Sequence, residues 1–570
     1  MKSGICNALL RYLTVCTSSF LLMFCYSSSA SSSEAPKEQT KPNILLIVAD
    51  DMGYSDLGIF GGEINTPNID ALAQDGGVQL TNFHSAPTCS PTRSMLMSGT
   101  YNHVAGLGAM AEWLADNQRG KPGYEGYLNE RVAPLPSLMK DAGYATFMAG
   151  KWHLGMKKDQ LPNARGFDES FAMLPGAGNH YSDKGIFPFL PKTPYTENDK
   201  PVKLPKDFYS TTFYTDKVIS YIDSVQKKGG KPFFGYVAYT APHWPLQVDE
   251  KYSDKYKGKY DVGYDAIQAK RIEKMRKLGL INDDTTIAEG NRCYLDWATL
   301  SDEEKKRQAR LMEIYAGMVD ALDENIGRLI QHLKDTGQFD NTLIVFLSDN
   351  GADARPENGL GGENKFLEEN YDNRFENLGS GDSFVSYGGA WARVSNTPLS
   401  LHKGMTTEGA IRVPAIMHLP KGMRVTGIKD EFVSVMDLLP TFLDLAGGEL
   451  PNKTYKNHDV VEVKGESVLP YLLQNKTDIH KDDPYGFSVH RRQGLQFNDW
   501  KIVRIPAPYS DGNWHLYNLA EDMGETHDLA ATKPKVLADM ISKWDAFAKE
   551  TGVIISQEDA KVPNECPAIQ

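Results

Sequence analysis

Four segments of this chain are almost wholly apolar, and each runs directly into polar, reactive residues. Asn43 to Ala49 ends in Asp50-Asp51, and Thr342 to Leu347 ends in Ser348-Asp349-Asn350-Gly351. Tyr144 to Ala149 ends in Gly150-Lys151, and Phe233 to Tyr239 ends in Thr240-Ala241-Pro242-His243. A strand with one wet face alternates apolar and polar residues; a strand without that alternation is covered on both faces. The four segments are therefore predicted as central strands of a large, mostly parallel sheet sandwiched by helices, an α/β fold. Ligands of such sheets gather at the carboxyl ends of the strands, so the four polar ends are expected to share one crevice.

Helices fall between the strands. Thr66-Pro67 reads as an N-cap followed by proline at the first helical position. Ser301 and Glu304 have capping-box spacing, and the apolar stripe Leu311, Tyr315, Met318, Leu322, Ile326, Leu329 and Leu333 runs on to Gly337. Such a stripe is core. Beyond about residue 425 the texture changes. Asp437 to Ala446 reads as helix, Leu495 to Ile505 and Trp514 to Leu519 as strands, and Leu537, Met540, Ile541, Trp544 and Phe547 line one face of a last helix. These signals divide the chain into a leader (1–30), a flexible linker (31–41), a large α/β domain (42–424) and a smaller C-terminal α+β domain (425–570).

The leader carries Lys2 and Arg11, no acid, and a mostly apolar run from Tyr12 to Tyr26 that closes on Ser28-Ser29-Ala30. That is the pattern of a secretory signal cleaved after Ala30. Thr17-Ser18-Ser19 interrupts the run, which falls short of the roughly 18 unbroken apolar residues a membrane span needs. Export to a periplasm or beyond the cell is expected, without a stable membrane anchor. Removal of the leader takes Cys6, Cys16 and Cys25 with it and leaves Cys89, Cys293 and Cys566, an odd number. Asn452 and Asn475 open glycosylation sequons, relevant only in a host that uses them. A formal net charge of -13 repels phosphate backbones and argues against nucleic acid as a partner. Any anion site on such a chain has to be locally cationic.

Asp50-Asp51 and Asp349-Asn350 would present only oxygen donors if their strands are neighbours, and oxygen without Cys or His selects Ca2+ or Mg2+ over zinc. An isolated Asp-Asp pair is usually a solvated turn; two oxygen-rich strand ends point to a cation. Lys151 and His153 lie two apart, and in an extended chain such residues face the same way, so both are expected to reach one anion. His243 sits between Pro242 and Trp244-Pro245, and Lys403 lies in Leu401-His402-Lys403-Gly404. Trp113, Trp244 and Tyr181 are candidates for an aromatic pocket wall, with core or rim as the plainer reading. In Thr88-Cys89-Ser90-Pro91-Thr92-Arg93, the last three residues are predicted to open a helix, which puts residue 89 near a positive dipole end.

These segments, with Met110-Ala111-Glu112 and Leu516-Tyr517-Asn518-Leu519, resemble the type I sulfatase family, bacterial arylsulfatases in particular, within the alkaline phosphatase superfamily. One departure is Gly409-Ala410, where the family often has two glycines. The resemblance implies an alkaline phosphatase-like fold and hydrolysis of aryl sulfate esters to a phenol and inorganic sulfate. It implies that a formylglycine-generating maturation enzyme reads Cys-x-Pro-x-Arg and oxidises Cys89 to an aldehyde, which hydrates to a gem-diol. One Ca2+, rather than Mg2+, would be held by Asp50, Asp51, Asp349 and Asn350. Arg93 would hold the hydrated residue, and Lys151, His153, His243 and Lys403 would bind sulfate oxygens from a small-molecule or glycan ester. One hydroxyl, deprotonated with help from Asp349, would attack sulfur while His243 or Lys403 protonates the departing oxygen. His153 would then take a proton from the second hydroxyl, expelling sulfate. Two alternatives stay open: a phosphodiester or phosphonate monoester hydrolase of the same superfamily, and a non-catalytic binder of sulfated ligands with Cys89 left as a thiol.

Overall fold

The four apolar segments lie side by side in one sheet. In the computed structural model, which describes residues 41–288, 294–357, 364–474, 476–477 and 479–557, ten strands of this sheet follow in chain order. They are β1 (Asn43–Ala49), β2 (Gly77–Leu80), β3 (Ala145–Lys151), β4 (Glu169–Met173) and β5 (Tyr195–Glu197), then β6 (Lys200–Pro201), β7 (Phe233–Ala238), β8 (Thr342–Ser348), β9 (Ala415–His418) and β10 (Gly427–Lys429). Their spatial order is β10-β2-β9-β8-β1-β7-β3-β4-β5-β6. The centre, β8-β1-β7-β3-β4, is parallel, and antiparallel pairs flank it on both sides. The leader, all of the linker except Lys41, Cys293, Cys566 and Asn475 lie outside the described residues.

The missing alternation of β1 has the cause expected of it. Ile44, Leu46 and Val48 enter one core while Leu45, Ile47 and Ala49 enter another across the sheet. Covering the first face are α1 (Cys89–Ser98), α2 (Leu135–Asp141) and α6 (Leu438–Ala446); α3 (Ser210–Lys227) and α4 (Asp302–Asp335) cover the second, α5 (Glu408–Ile411) is a short turn before β9, and α7 (Pro534–Thr551) packs on the C-terminal strands between Tyr485 and Asn518. The stripe of α4 is fully buried, and each such side chain contributes about 1.5–3 kcal/mol by leaving water. Its start is a capping box: the Glu304 N–H donates to the Ser301 hydroxyl at 3.3 Å, and the Ser301 N–H donates to the Glu304 carboxylate at 2.7 Å.

Two local expectations change. Thr66 precedes the Pro67–Gln74 helix but makes no side-chain cap; its hydroxyl instead accepts from the Gly58 N–H and donates to Asp70. The stretch from Leu495 to Ile505 is two strands, because Asn498 takes the left-handed conformation (φ 52°) and reverses the chain. The resulting antiparallel sheet is β11 (Tyr485–Val489), β12 (Arg492–Phe497), β13 (Trp500–Arg504) and β14 (Trp514–Asn518). Its Tyr485, Phe487, Leu495, Ile502 and Leu516 share a core with Ile44 and Leu46 of β1. Among the described residues, no helix is long and apolar enough to cross a membrane.

Candidate active site

The parallel strands stop together, and their following residues converge. Asp50 and Asp51 follow β1, Lys151 closes β3, His243 lies five residues past β7, and Asp349-Asn350 follow β8; all are buried. Lys151 Nζ lies 2.9 and 2.7 Å from the two oxygens of Asp50. Arg93, in α1, donates through Nε and Nη2 to Asp349 at 3.0 and 2.7 Å, and through Nη1 to the Lys151 carbonyl and the Tyr236 hydroxyl. Lys403 Nζ donates to Asp51 at 2.8 Å and lies 3.1 Å from Asp353. Cys89 itself opens α1, two residues earlier than the predicted start at Pro91, with Sγ 3.9 Å from Asp51.

Charge is tightly packed here. Burial, and after it the Asp349 carboxylate, raises the Asp50 pKa to about 6 against Lys151, Arg93 and Lys403. Burial pushes Asp51 up further, with Lys403 opposing. Burial acts on Asp349 as well, but Arg93, then Lys151 and Lys403, overcome it and hold that carboxyl below its usual range. Burial lifts the Cys89 thiol well above its usual range in spite of Lys151 and Lys403. A thiol so placed makes a poor nucleophile, since the thiolate is the reactive form.

The site gathers donors able to hold a metal ion, a thiol and an imidazole among them. Asp50, Asp51, Cys89 and His243 bring ligand atoms within 4.8 Å of one another. Asn350 donates through Nδ2 to Asp51 at 2.6 Å, while its Oδ1 is buried with no hydrogen-bond partner among the described residues. His243 Nδ1 faces the Trp244 carbonyl at 2.6 Å and must donate to it, which leaves Nε2 of a neutral ring as a lone pair 3.3 Å from Asp51. Burial, Lys403 and Lys151 all favour that neutral ring. A cation reconciles acceptors gathered in this way.

Lys151 and His153 take different partners, and the backbone at His153 is left-handed, with φ 56°. Lys151 goes to Asp50, whereas His153 Nε2 lies 3.2 Å from Glu112, and its Nδ1 is buried without a partner among the described residues. Of the aromatic candidates, Trp244 packs on His243 with ring centroids 4.3 Å apart. Trp113 packs on His490, and Tyr181 on Tyr209 with its hydroxyl on Asp249. Ala410, at the departure from the double glycine, fits in the core.

Sequence reading assigned no role to Asp353, Glu112 or Tyr236. Asp353 binds both Lys403 and the Trp244 indole N–H, at 3.1 and 3.0 Å. Its place four residues past Asp349 at the same strand end was a usable signal. Tyr236 gave none, being one more aromatic residue inside an apolar strand.

The comparisons agree with this geometry. A model of the family described as Sulfatase matches residues 42–448, and one described as N-sulphoglucosamine sulphohydrolase, C-terminal, matches 401–546. An uncharacterized sulfatase of Schizosaccharomyces pombe is 44% identical over 541 residues, 92% of this chain and 97% of that one. An arylsulfatase of Klebsiella aerogenes is 40% identical over 438 residues, 76% of this chain and 92% of that one. The crystal structure of Ps i-CgsB in complex with k-i-k-neocarrahexaose superposes with a TM-score of 0.64 at 28% identity, covering 91% of this chain and 96% of the other. The chain therefore belongs to the sulfatase family, and its class of reaction is sulfuric ester hydrolysis.

Proposed function

We propose that this protein is an exported arylsulfatase that works through formylglycine at residue 89 and one bound Ca2+, releasing a phenol and inorganic sulfate. The observation that carries the reading is the setting of Cys89, at the head of α1 and inside a buried cage of Asp50, Asp51, Asp349, Lys151, Lys403 and Arg93. That cage suits a doubly oxygenated carbon better than a thiol. The leader sequence supports export, and the Klebsiella relative supports aryl esters.

Asp50, Asp51, Asp349 and Asn350 would hold the dication, which when bound lowers the pKa of a hydroxyl on residue 89 and draws charge from the sulfuryl oxygens. Lys151 and Lys403 now neutralise Asp50 and Asp51; relieved of that task, both ammonium groups can bind sulfate oxygens. Together with Arg93 they form a preorganised clamp for the charge that develops on the sulfuryl group. As an O–S bond forms from residue 89, the ester S–O bond breaks and the leaving oxygen takes a proton from Lys403. Lys403 is favoured over His243 because the His243 Nδ1–H is committed to the Trp244 carbonyl and its Nε2 carries no proton to give. His153, steadied by Glu112, accepts the proton from the second hydroxyl as sulfate departs.

Mass mapping of the peptide containing residue 89, together with turnover of nitrophenyl sulfate, a nitrophenyl phosphodiester and sulfated oligosaccharides, tests the reading. The expected result is an aldehyde mass and fastest turnover of the aryl sulfate. A thiol mass in fully active protein, or a faster phosphodiester rate, overturns it. Ca2+ is expected to raise the Tm, by about 2.7 kcal/mol of added stability at a hundredfold excess over Kd. Asp51→Asn should abolish that rise.

A further inference from the structure

Lys403 rides on a loop that the C-terminal sheet grips. Within the loop, the Ser400 carbonyl accepts from the Gly409 N–H and the Thr407 hydroxyl. On the active-site side, the Lys403 N–H donates to the Ala352 carbonyl at 3.0 Å and the Gly404 N–H to the Pro87 carbonyl at 2.8 Å. These ties join the loop to the segments that carry Asp349 and Cys89. From the C-terminal sheet, Arg492 of β12 donates to the Gly404 carbonyl, and the Thr406 hydroxyl donates to the Gln493 carbonyl at 2.9 Å.

At the loop's end stands a buried charge cluster that the mechanism does not use. Lys501 of β13 lies 2.6 Å from Glu408 and 2.8 Å from Glu525, and all three side chains are at most 1% exposed. The Glu408 N–H donates to Glu525 at 2.8 Å. The second oxygen of Glu408 faces His84 Nε2 at 3.0 Å, five residues before Cys89, and Arg412 at 3.6 Å. Burying charges carries a desolvation cost that apolar packing would avoid, so a cluster of this kind is weak evidence for added stability. What it supplies is direction: Glu408 is tied at once to the segment that leads to Cys89 and to the C-terminal sheet.

We propose that Lys501 and Glu525, acting through Glu408, are positioning residues that fix the Lys403 ammonium against Asp51 and Asp353. The inference rests on the sulfatase reading of the site for its catalytic consequence. Without Lys501, two buried carboxylates face each other with their shared counter-charge gone, and the Lys403 loop yields.

The test is a double-mutant cycle on the full chain, matured at residue 89, with Lys501→Met, Lys403→Met and the pair. It is read as kcat/KM over aryl sulfates of graded leaving-group pKa and as Kd for inorganic sulfate. Lys501→Met is expected to lower kcat/KM by about 30-fold or more, the order of loss that a small misplacement causes. The loss should grow as the leaving group becomes poorer, and the same trend is expected of Lys403→Met. The double variant should be no worse than Lys403→Met, because the two act as one unit, and Lys501→Arg should recover most of the activity. Effects that multiply in the double variant, or a loss equal for every leaving group, overturn the proposal. If Lys501→Met does not fold, Glu525→Gln enters the same cycle under the same criteria. If the wild type turns over no sulfate ester, the functional reading fails, and the sulfate Kd cycle still decides the positioning role: coupling supports it, while additivity or no sulfate binding overturns it.

Discussion

Cys89 and His153 are each held by their surroundings in a state that chemistry can read out. Burial keeps the Cys89 thiol protonated, so its serine analogue tests oxygen chemistry at the same position. Cys89→Ser is expected to fold and to release about one phenol per chain in a burst, then stall, because a serine ester has no second hydroxyl with which to expel sulfate. Sustained turnover by the pure variant would count against formylglycine. Burial also lowers the His153 pKa, with the Glu112 carboxylate pulling it back up. In Glu112→Gln that pull is gone and the pKa falls further. The acid limb of the kcat profile should move to lower pH, while the plateau drops about tenfold as the base weakens. An unmoved limb removes His153 from the role of base.

At the level of elements, glycine at a strand end and leucine in a helix stripe separate site geometry from bulk stability. Gly150, between the body of β3 and Lys151, has φ 119°, and a Cβ there would run into the Ala238 carbonyl of neighbouring β7. Gly150→Ala is expected to cost about 1–3 kcal/mol in urea unfolding. Activity should fall further than the lost folded fraction explains, because Lys151 is displaced with it. Leu322→Ala, deep in α4, should cost about 2–5 kcal/mol yet leave kcat/KM of the folded protein within a factor of two or so. The reverse ranking would show that the end of β3 does not set the position of Lys151.

Across the whole molecule, one buried ion pair makes stability depend on alkaline pH. His480 Nε2 lies 2.8 Å from Asp437, just ahead of α6. Burial alone would depress this imidazole, but Asp437 raises its pKa to about 10. The folded value lies above the unfolded one, so the contribution is complete below about pH 6.5 and fades as pH climbs towards 10. Tm should decline over that window, and His480→Gln should lower Tm near pH 6 and flatten the decline. A Tm profile of the same shape in wild type and variant would assign the pH dependence elsewhere.

Much of the architecture could be read from local pattern. Unbroken apolar runs from Asn43 to Ala49 and from Thr342 to Leu347 marked strands covered on both faces, and the α4 stripe and its Ser301–Glu304 box marked a helix, because burial and capping leave their trace residue by residue. The reactive ends of those strands were equally legible, and with Cys89–Arg93 they named the family. What tertiary structure alone decided was pairing. Asp353 meets Lys403 across 50 positions, Glu112 meets His153 across 41, and Lys501 meets Glu408 across 93. No periodicity encodes such partners; they depend on which strand ends the sheet order brings together and on a single turn, at His153, where the backbone leaves extended geometry.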